Sequence, residues 1–112
     1  MENFHSLNRL YFALEPMEDR YSFGYFYALQ DLNLILKSHK KGDGIVNKFV
    51  DRCPNIETLI LDGKFCHINL NSLVYLKSLT IRCNRNENFD LDLSKTICNQ
   101  LEELKIISDY FD

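Results

Sequence analysis

Three groups of side chains in this 112-residue sequence are of types that could do chemistry. The first is the set of four cysteines, Cys53, Cys66, Cys83 and Cys98. No two of them stand in a C-x-x-C pair, so the spacing of a zinc ribbon or of a thioredoxin-type redox site is absent. The chain start, Met1–Leu10, interleaves Glu2, Asn3, His5 and Arg9 with apolar residues, unlike a secretory signal, and no Asn-x-Ser/Thr sequon occurs. Both features fit reduced thiols in the cytosol or nucleus. The second group is the adjacent pair Cys66-His67. In an extended chain neighbouring side chains point to opposite faces, so the two would not form a nucleophile–base dyad. The third is the basic, glycine-containing stretch Lys37–Gly44, which lacks the G-x-x-x-x-G-K-[S/T] spacing that cradles phosphates and reads as a solvated loop. His5, His39 and His67 are too scattered for a metal-ligand pattern. These residues point to a protein that acts by binding, with no catalytic residue, no cofactor and no metal.

The elements that would position a binding surface come from a recurring pattern. Ile56-Glu-Thr-Leu59-Ile-Leu61, Leu76-Lys-Ser-Leu79-Thr-Ile81 and Leu101-Glu-Glu-Leu104-Lys-Ile106 are each apolar-x-x-apolar-x-apolar. Leu29-Gln-Asp-Leu32-Asn-Leu34 fits too, and Leu7-Asn-Arg-Leu10-Tyr-Phe12 more loosely. Starts at 7, 29, 56, 76 and 101 give intervals within the roughly 20–29 residues of a leucine-rich repeat. The last part of each pattern predicts a short strand, with Leu10/Phe12, Leu32/Leu34, Leu59/Leu61, Leu79/Ile81 and Leu104/Ile106 facing inward. One unit cannot bury its own apolar face, but stacked units can. A second apolar column lies three residues before each start, at Phe4, Phe26, Cys53, Leu73 and Cys98, and places Cys53 and Cys98 in the convex-side core. The whole predicts one domain over 1–112, an α/β leucine-rich-repeat solenoid. It is a curved horseshoe segment of about five irregular repeats, with a parallel concave sheet and short helical or extended convex segments.

The return segments differ with length. Ile45, Val46, Phe49, Val50 and Cys53, after Gly42-Asp43-Gly44 and before Pro54, predict a short amphipathic helix. Phe23, Phe26 and Tyr27 predict a helix over Ser22–Ala28. Phe65, Ile68, Leu70 and Leu73 predict an extended or 3₁₀ return, and Asp92 or Ser94 could cap a turn holding Ile97 and Cys98. Arg85–Asp92 reads as a polar loop. Asn84 stands where many leucine-rich repeats carry a turn-bonding asparagine, but Glu15, Lys37, Lys64 and Asp109 replace it in the other units.

Side chains facing away from the core form the candidate partner-binding, concave face. The first row is Arg9, Asp31, Thr58, Ser78 and Glu103. The central column is Tyr11, Asn33, Ile60, Thr80 and Lys105, and Arg82 stands beyond it, in a third row with Ala13, Ile35, Asp62 and Ile107. A mixed face with charges of both signs suits a protein or peptide, whereas nucleic acid would call for a stripe of one sign. Composition agrees. The chain is 46% hydrophobic and 26% charged, ordinary for a globular protein, with a net charge of −3. No apolar run approaches the roughly 18 residues of a membrane span, so neither nucleic acid nor a membrane is an expected partner.

Cys53-Pro54-Asn55-Ile56-Glu57-Thr58-Leu59-Ile60-Leu61 resembles the junction of intracellular, cysteine-containing leucine-rich repeats, and Leu76–Asn84 is similar. Such repeats are typical of F-box/leucine-rich-repeat proteins, the substrate receptors of cullin ubiquitin ligases. The resemblance implies substrate recognition in a ligase of that type. The F-box, a helical segment that docks the cullin adaptor, has no counterpart in these 112 residues. Adaptor binding is therefore expected only where an upstream F-box exists. The alternative is a leucine-rich-repeat segment of an intracellular immune receptor or scaffold.

Overall fold

The computed structural model describes residues 7–14, 24–36, 43–63, 67–84 and 90–109. Its elements run β1 (Arg9–Leu14), β2 (Asp31–Leu36), α1 (Asp43–Val50), β3 (Thr58–Gly63), β4 (His67–Asn69), β5 (Ser78–Asn84), β6 (Asp90–Asp92), α2 (Lys95–Gln100) and β7 (Glu103–Asp109). Five strands form one parallel sheet in the order β1-β2-β3-β5-β7, and β4 pairs with β6 in a second, two-stranded parallel sheet. The fold is α/β, with the main sheet open at both edges among the described residues.

Strand alternation sets the core. Leu32, Leu59 and Leu79 align across the sheet, as do Leu34, Leu61 and Ile81, and all six are buried. The turns before the strands add Leu29, Ile56 and Leu76, and three residues further back come Phe26, Cys53 and Leu73. On the far side Val46, Phe49 and Val50 of α1, together with Ile68, Leu70 and Ile97, close the core.

Strand spacing is held at each junction by the same hydrogen bond pair. One carbonyl accepts from two successive N–H groups of the next strand's entry. Asn8 accepts from Gln30 and Asp31 (2.9 and 3.0 Å), and Gln30 from Glu57 and Thr58 (2.8 and 3.0 Å). Glu57 in turn accepts from Lys77 and Ser78 (2.8 and 3.0 Å), and Lys77 from Glu102 and Glu103 (2.7 and 3.2 Å). No junction breaks the series, so every paired strand starts level with its neighbour.

Several expectations are corrected. Cys98 is exposed, and Ile97 fills the inward slot instead. At the earlier junctions the turn closes from three residues back, with Leu29, Ile56 and Leu76 donating to Phe26, Cys53 and Leu73. At the last, α2 continues to Gln100 and Leu101 donates to Ile97 four residues back, at 3.0 Å. The inward position therefore shifts by one residue, and Cys98 rotates about 100° away around the helix. Leu104 and Ile106 keep their register with Leu79 and Ile81 but are 50% and 51% exposed, because β7 is an edge strand. The described part of the expected Ser22–Ala28 helix is not helical. Tyr27 and Ala28 form a turn, and Phe26 N–H donates sideways to the Arg52 carbonyl at 2.8 Å rather than to a helical neighbour. Asp90–Asp92 belongs to strand β6 rather than to a loop, and Cys83 lies within β5, buried.

Other expectations find their place. α1 matches the predicted helix in part: it opens at Asp43, inside the predicted turn, and ends at Val50, short of Cys53. β4 is the extended return, with Ile68 and Leu70 buried. Ser94 is the cap of α2, its Oγ accepting from Ile97 N–H at 3.2 Å. Phe4, Cys66, His5, His39 and the asparagine-column residues Glu15, Lys37 and Lys64 lie outside the described residues, as do the side chains of Phe12, Asn84 and Asp109.

The thiols should separate by reactivity. Cys53 is fully buried and its Sγ donates to the Phe49 carbonyl at 3.4 Å; burial pushes its pKa up to about 12 from an ordinary 9.0. Burial also raises Cys83, with the Asp62 carboxylate adding to the effect. In a Cys66→Ser background, Cys98 should react with a thiol reagent in the native protein, while Cys53 and Cys83 react only on unfolding. Rapid native labelling of Cys53 would contradict its place in the core. The sign of the pH effect follows from the raised pKa. Below pH 9 the thiol is neutral in both states and its contribution to stability is complete. As pH climbs from 9 toward 12 the unfolded chain ionises first, and that contribution is lost. Cys53→Ala should flatten this alkaline decline in urea titrations.

Candidate binding face

The residues expected to bind a partner fall on one face, in rows set by the strand register. Arg9, Asp31, Thr58, Ser78 and Glu103 are aligned across the five strands, as are Tyr11, Asn33, Ile60, Thr80 and Lys105. Arg82 lies in the third row, with Ala13, Ile35, Asp62 and Ile107. Side chains at every second position of a strand share a face, so this is the side opposite the buried leucines. Asn33, Thr58, Ile60, Ser78 and Thr80 are half-buried among their neighbours, whereas Tyr11 stands 68% exposed near one edge.

In the first two rows the charges gather toward the two edges, and in the third row Asp62 and Arg82 stand side by side on the middle strands β3 and β5. On one edge Arg9 Nε donates to Asp31 Oδ2 at 3.2 Å. On the other, Ser78 Oγ donates to Glu103 Oε1 at 3.1 Å and Lys105 Nζ lies 3.3 Å from Glu103 Oε2. The Lys105 bond, then the Ser78 hydroxyl and the charge of Lys105, hold the Glu103 carboxyl below its usual range. These pairs are solvent-exposed, so each contributes little to stability; their weight is in the pattern of charge they present.

A cavity of about 310 Å³ opens over the β1–β3 part of the face. Arg9, Tyr11, Asp31, Asn33, Thr58 and Ile60 line it, and its accessible wall is apolar. Leu10 and Leu32 also contribute to its walls. Alternation assigns those two to the core, so no sequence signal marked them; Leu10 is half-buried on the edge strand β1, whereas Leu32, on β2, is buried. Ser78, Thr80, Arg82, Glu103 and Lys105 lie on the same face but outside this cavity.

Cys66 lies outside the described residues, and His67 meets a carboxylate from another strand. Its Nδ1 lies 3.0 Å from Asp90 Oδ2 across the β4–β6 pair, on an exposed surface. Two residues 23 positions apart carried no local signal of this contact. Among the described residues no group of three or more His, Cys, Asp and Glu converges in a way that could hold a metal ion, and no helix is long and apolar enough to cross a membrane.

Compared with family models, curated proteins and solved structures, the chain matches none.

Proposed function

We propose that the chain is a leucine-rich-repeat solenoid segment whose open sheet face recognises a protein or peptide. Its role, by the resemblance of the Cys53–Leu61 junction, is substrate recognition in an F-box-type ubiquitin ligase. The observation that carries the binding role is the apolar cavity, framed by Arg9, Tyr11, Asn33 and Ile60 on strands that are level with one another. The inner strands already pair on both sides, so a partner lying on the face meets side chains rather than free backbone. An apolar pocket takes a side chain of the partner as an anchor, and the charged edges orient the segment around it. The series of junction bonds and the aligned leucines support the solenoid reading, since each unit is stabilised by its neighbours.

The test is selection of peptides from a displayed library on the purified chain, followed by Tyr11→Ala, Ile60→Ala and Arg82→Glu variants. The selected peptides should lose at least roughly tenfold in affinity with the Tyr11 or Ile60 variant, and less with Arg82→Glu, which lies outside the cavity. The melting temperatures should stay close to that of the parent. Binding indifferent to all three substitutions would overturn the assignment to this face. The ligase role has its own test. A form carrying an upstream F-box should bind the cullin adaptor and the 112-residue chain should not; adaptor binding by the bare chain would count against it.

A further inference from the structure

The two open edges of the main sheet are complementary to each other. Each inner junction is made by one carbonyl accepting from two successive N–H groups, through Asn8, Gln30, Glu57 and Lys77 in turn. Moved one step further, the same bond would be made by the Glu102 carbonyl at the open edge of β7. The matching donors, the N–H groups of Asn8 and Arg9, are the counterparts at β1 of the Gln30 and Asp31 donors. Among the described residues, no strand pairs with the outer edge of either β1 or β7.

The side chains carry the same match. Continuing the register of the sheet sets Leu104 beside Leu10, repeating the row that Leu79 makes with Leu104, and pairs the backbone of Ile106 with that of Phe12. Leu104 and Ile106 are 50% and 51% exposed, so the apolar row is interrupted at this edge and not completed. On the opposite face Glu103 of one chain would meet Arg9 of the next, at the roughly 4.8 Å spacing of neighbouring strands. Both are exposed, and they are of opposite charge.

We propose that a second copy of this chain docks its β1 edge on the β7 edge, extending the parallel sheet from one molecule into the next. The contact is heterologous: two different edges meet, the pair of copies keeps one edge of each kind open, and growth continues head to tail. This does not depend on what binds the open face, because the docking uses backbone and edge side chains, and it can fail or hold independently of the peptide test.

The experiment is sedimentation velocity on the 112-residue chain over a wide concentration range at low ionic strength, with two exposed-edge variants, Arg9→Glu and Glu103→Arg. The parent should associate increasingly with concentration and show species beyond the dimer. Each variant alone places like charges across the contact and should associate at least roughly tenfold more weakly. An equimolar mixture should recover association, because each unlike pair of edges then faces opposite charges. A symmetric β7-to-β7 dimer would stop at two copies and would not be restored by mixing, and that result overturns the proposal. So does a parent that remains monomeric at every concentration, which would leave the β7 edge to a different occupant, or association that neither variant changes. Circular dichroism of both variants checks that the fold is retained.

Discussion

Leu59→Ala should lower the stability of the protein by about 2–5 kcal/mol. Leu59 is fully buried at the centre of the sheet, between Leu32 and Leu79 in adjacent strands, with Leu61 two residues along. Removing its side chain loses the transfer free energy of the buried carbons and leaves a cavity that packed strands on both sides cannot close. Domains of this kind are stable by only about 5–15 kcal/mol in all, so a large share of the native population is at risk. The denaturation midpoint should fall with the slope unchanged. Leu104→Ala is the internal control. It removes the same atoms from the same row, but from a half-exposed site on the edge, and should cost far less. Equal losses at the two positions, or a Leu59→Ala protein that melts within about a degree or two of the parent, would mean that the core is not organised along these rows.

Phe49→Ala should cost about 3–5 kcal/mol. Phe49 is 1% exposed on the inward side of α1, and its ring stacks on Phe26 with centroids 5.6 Å apart and planes 15° from parallel. The pair ties the helix to the turn that precedes β2, so the cost includes the loss of an aromatic contact as well as of buried area. Phe26→Ala should be destabilising too, and the double variant should lose less than the two singles together, by about 0.5–1.5 kcal/mol, because the shared contact is removed only once. Strict additivity in a double-mutant cycle, or a Phe49→Ala loss below about 1 kcal/mol, would remove the stacked pair from the list of interactions that hold α1 in place.

The parts of the fold that could be read in the sequence are those with a short period. Alternation places Leu59 and Leu61 on one face and Thr58 and Ile60 on the other, whatever the rest of the chain does. Because the same offset recurs before each strand, the row Tyr11, Asn33, Ile60, Thr80, Lys105 could be assembled before any coordinates and agrees with the observed register. The features that could not be read depend on distant or non-periodic contacts. Counting back three residues from Leu101 puts Cys98 in the core, a rule that holds for Cys53 but fails once α2 lengthens its turn by one residue. The backbone of Phe26 is captured by Arg52, on a different segment, so a helical spacing of aromatics came out as a turn. Strand β4 falls in the segment that reads as an extended or 3₁₀ return, but its partner β6 is only three residues long, inside a stretch that reads as a polar loop, which leaves too little pattern to announce it. The cavity takes in Leu10, on the edge strand β1, and an edge is a property of the assembled sheet.

The uniform junction bonds have a consequence for how such a chain can change over time. Paired positions are 22 residues apart between β1 and β2 and 25 between β5 and β7, yet the strands stay level. The connecting segments absorb the difference as a turn, a helix or a short strand on the far side. Insertions and deletions there leave the rows of the open face in place, so the connecting segments can drift in length without disturbing the register of the strands.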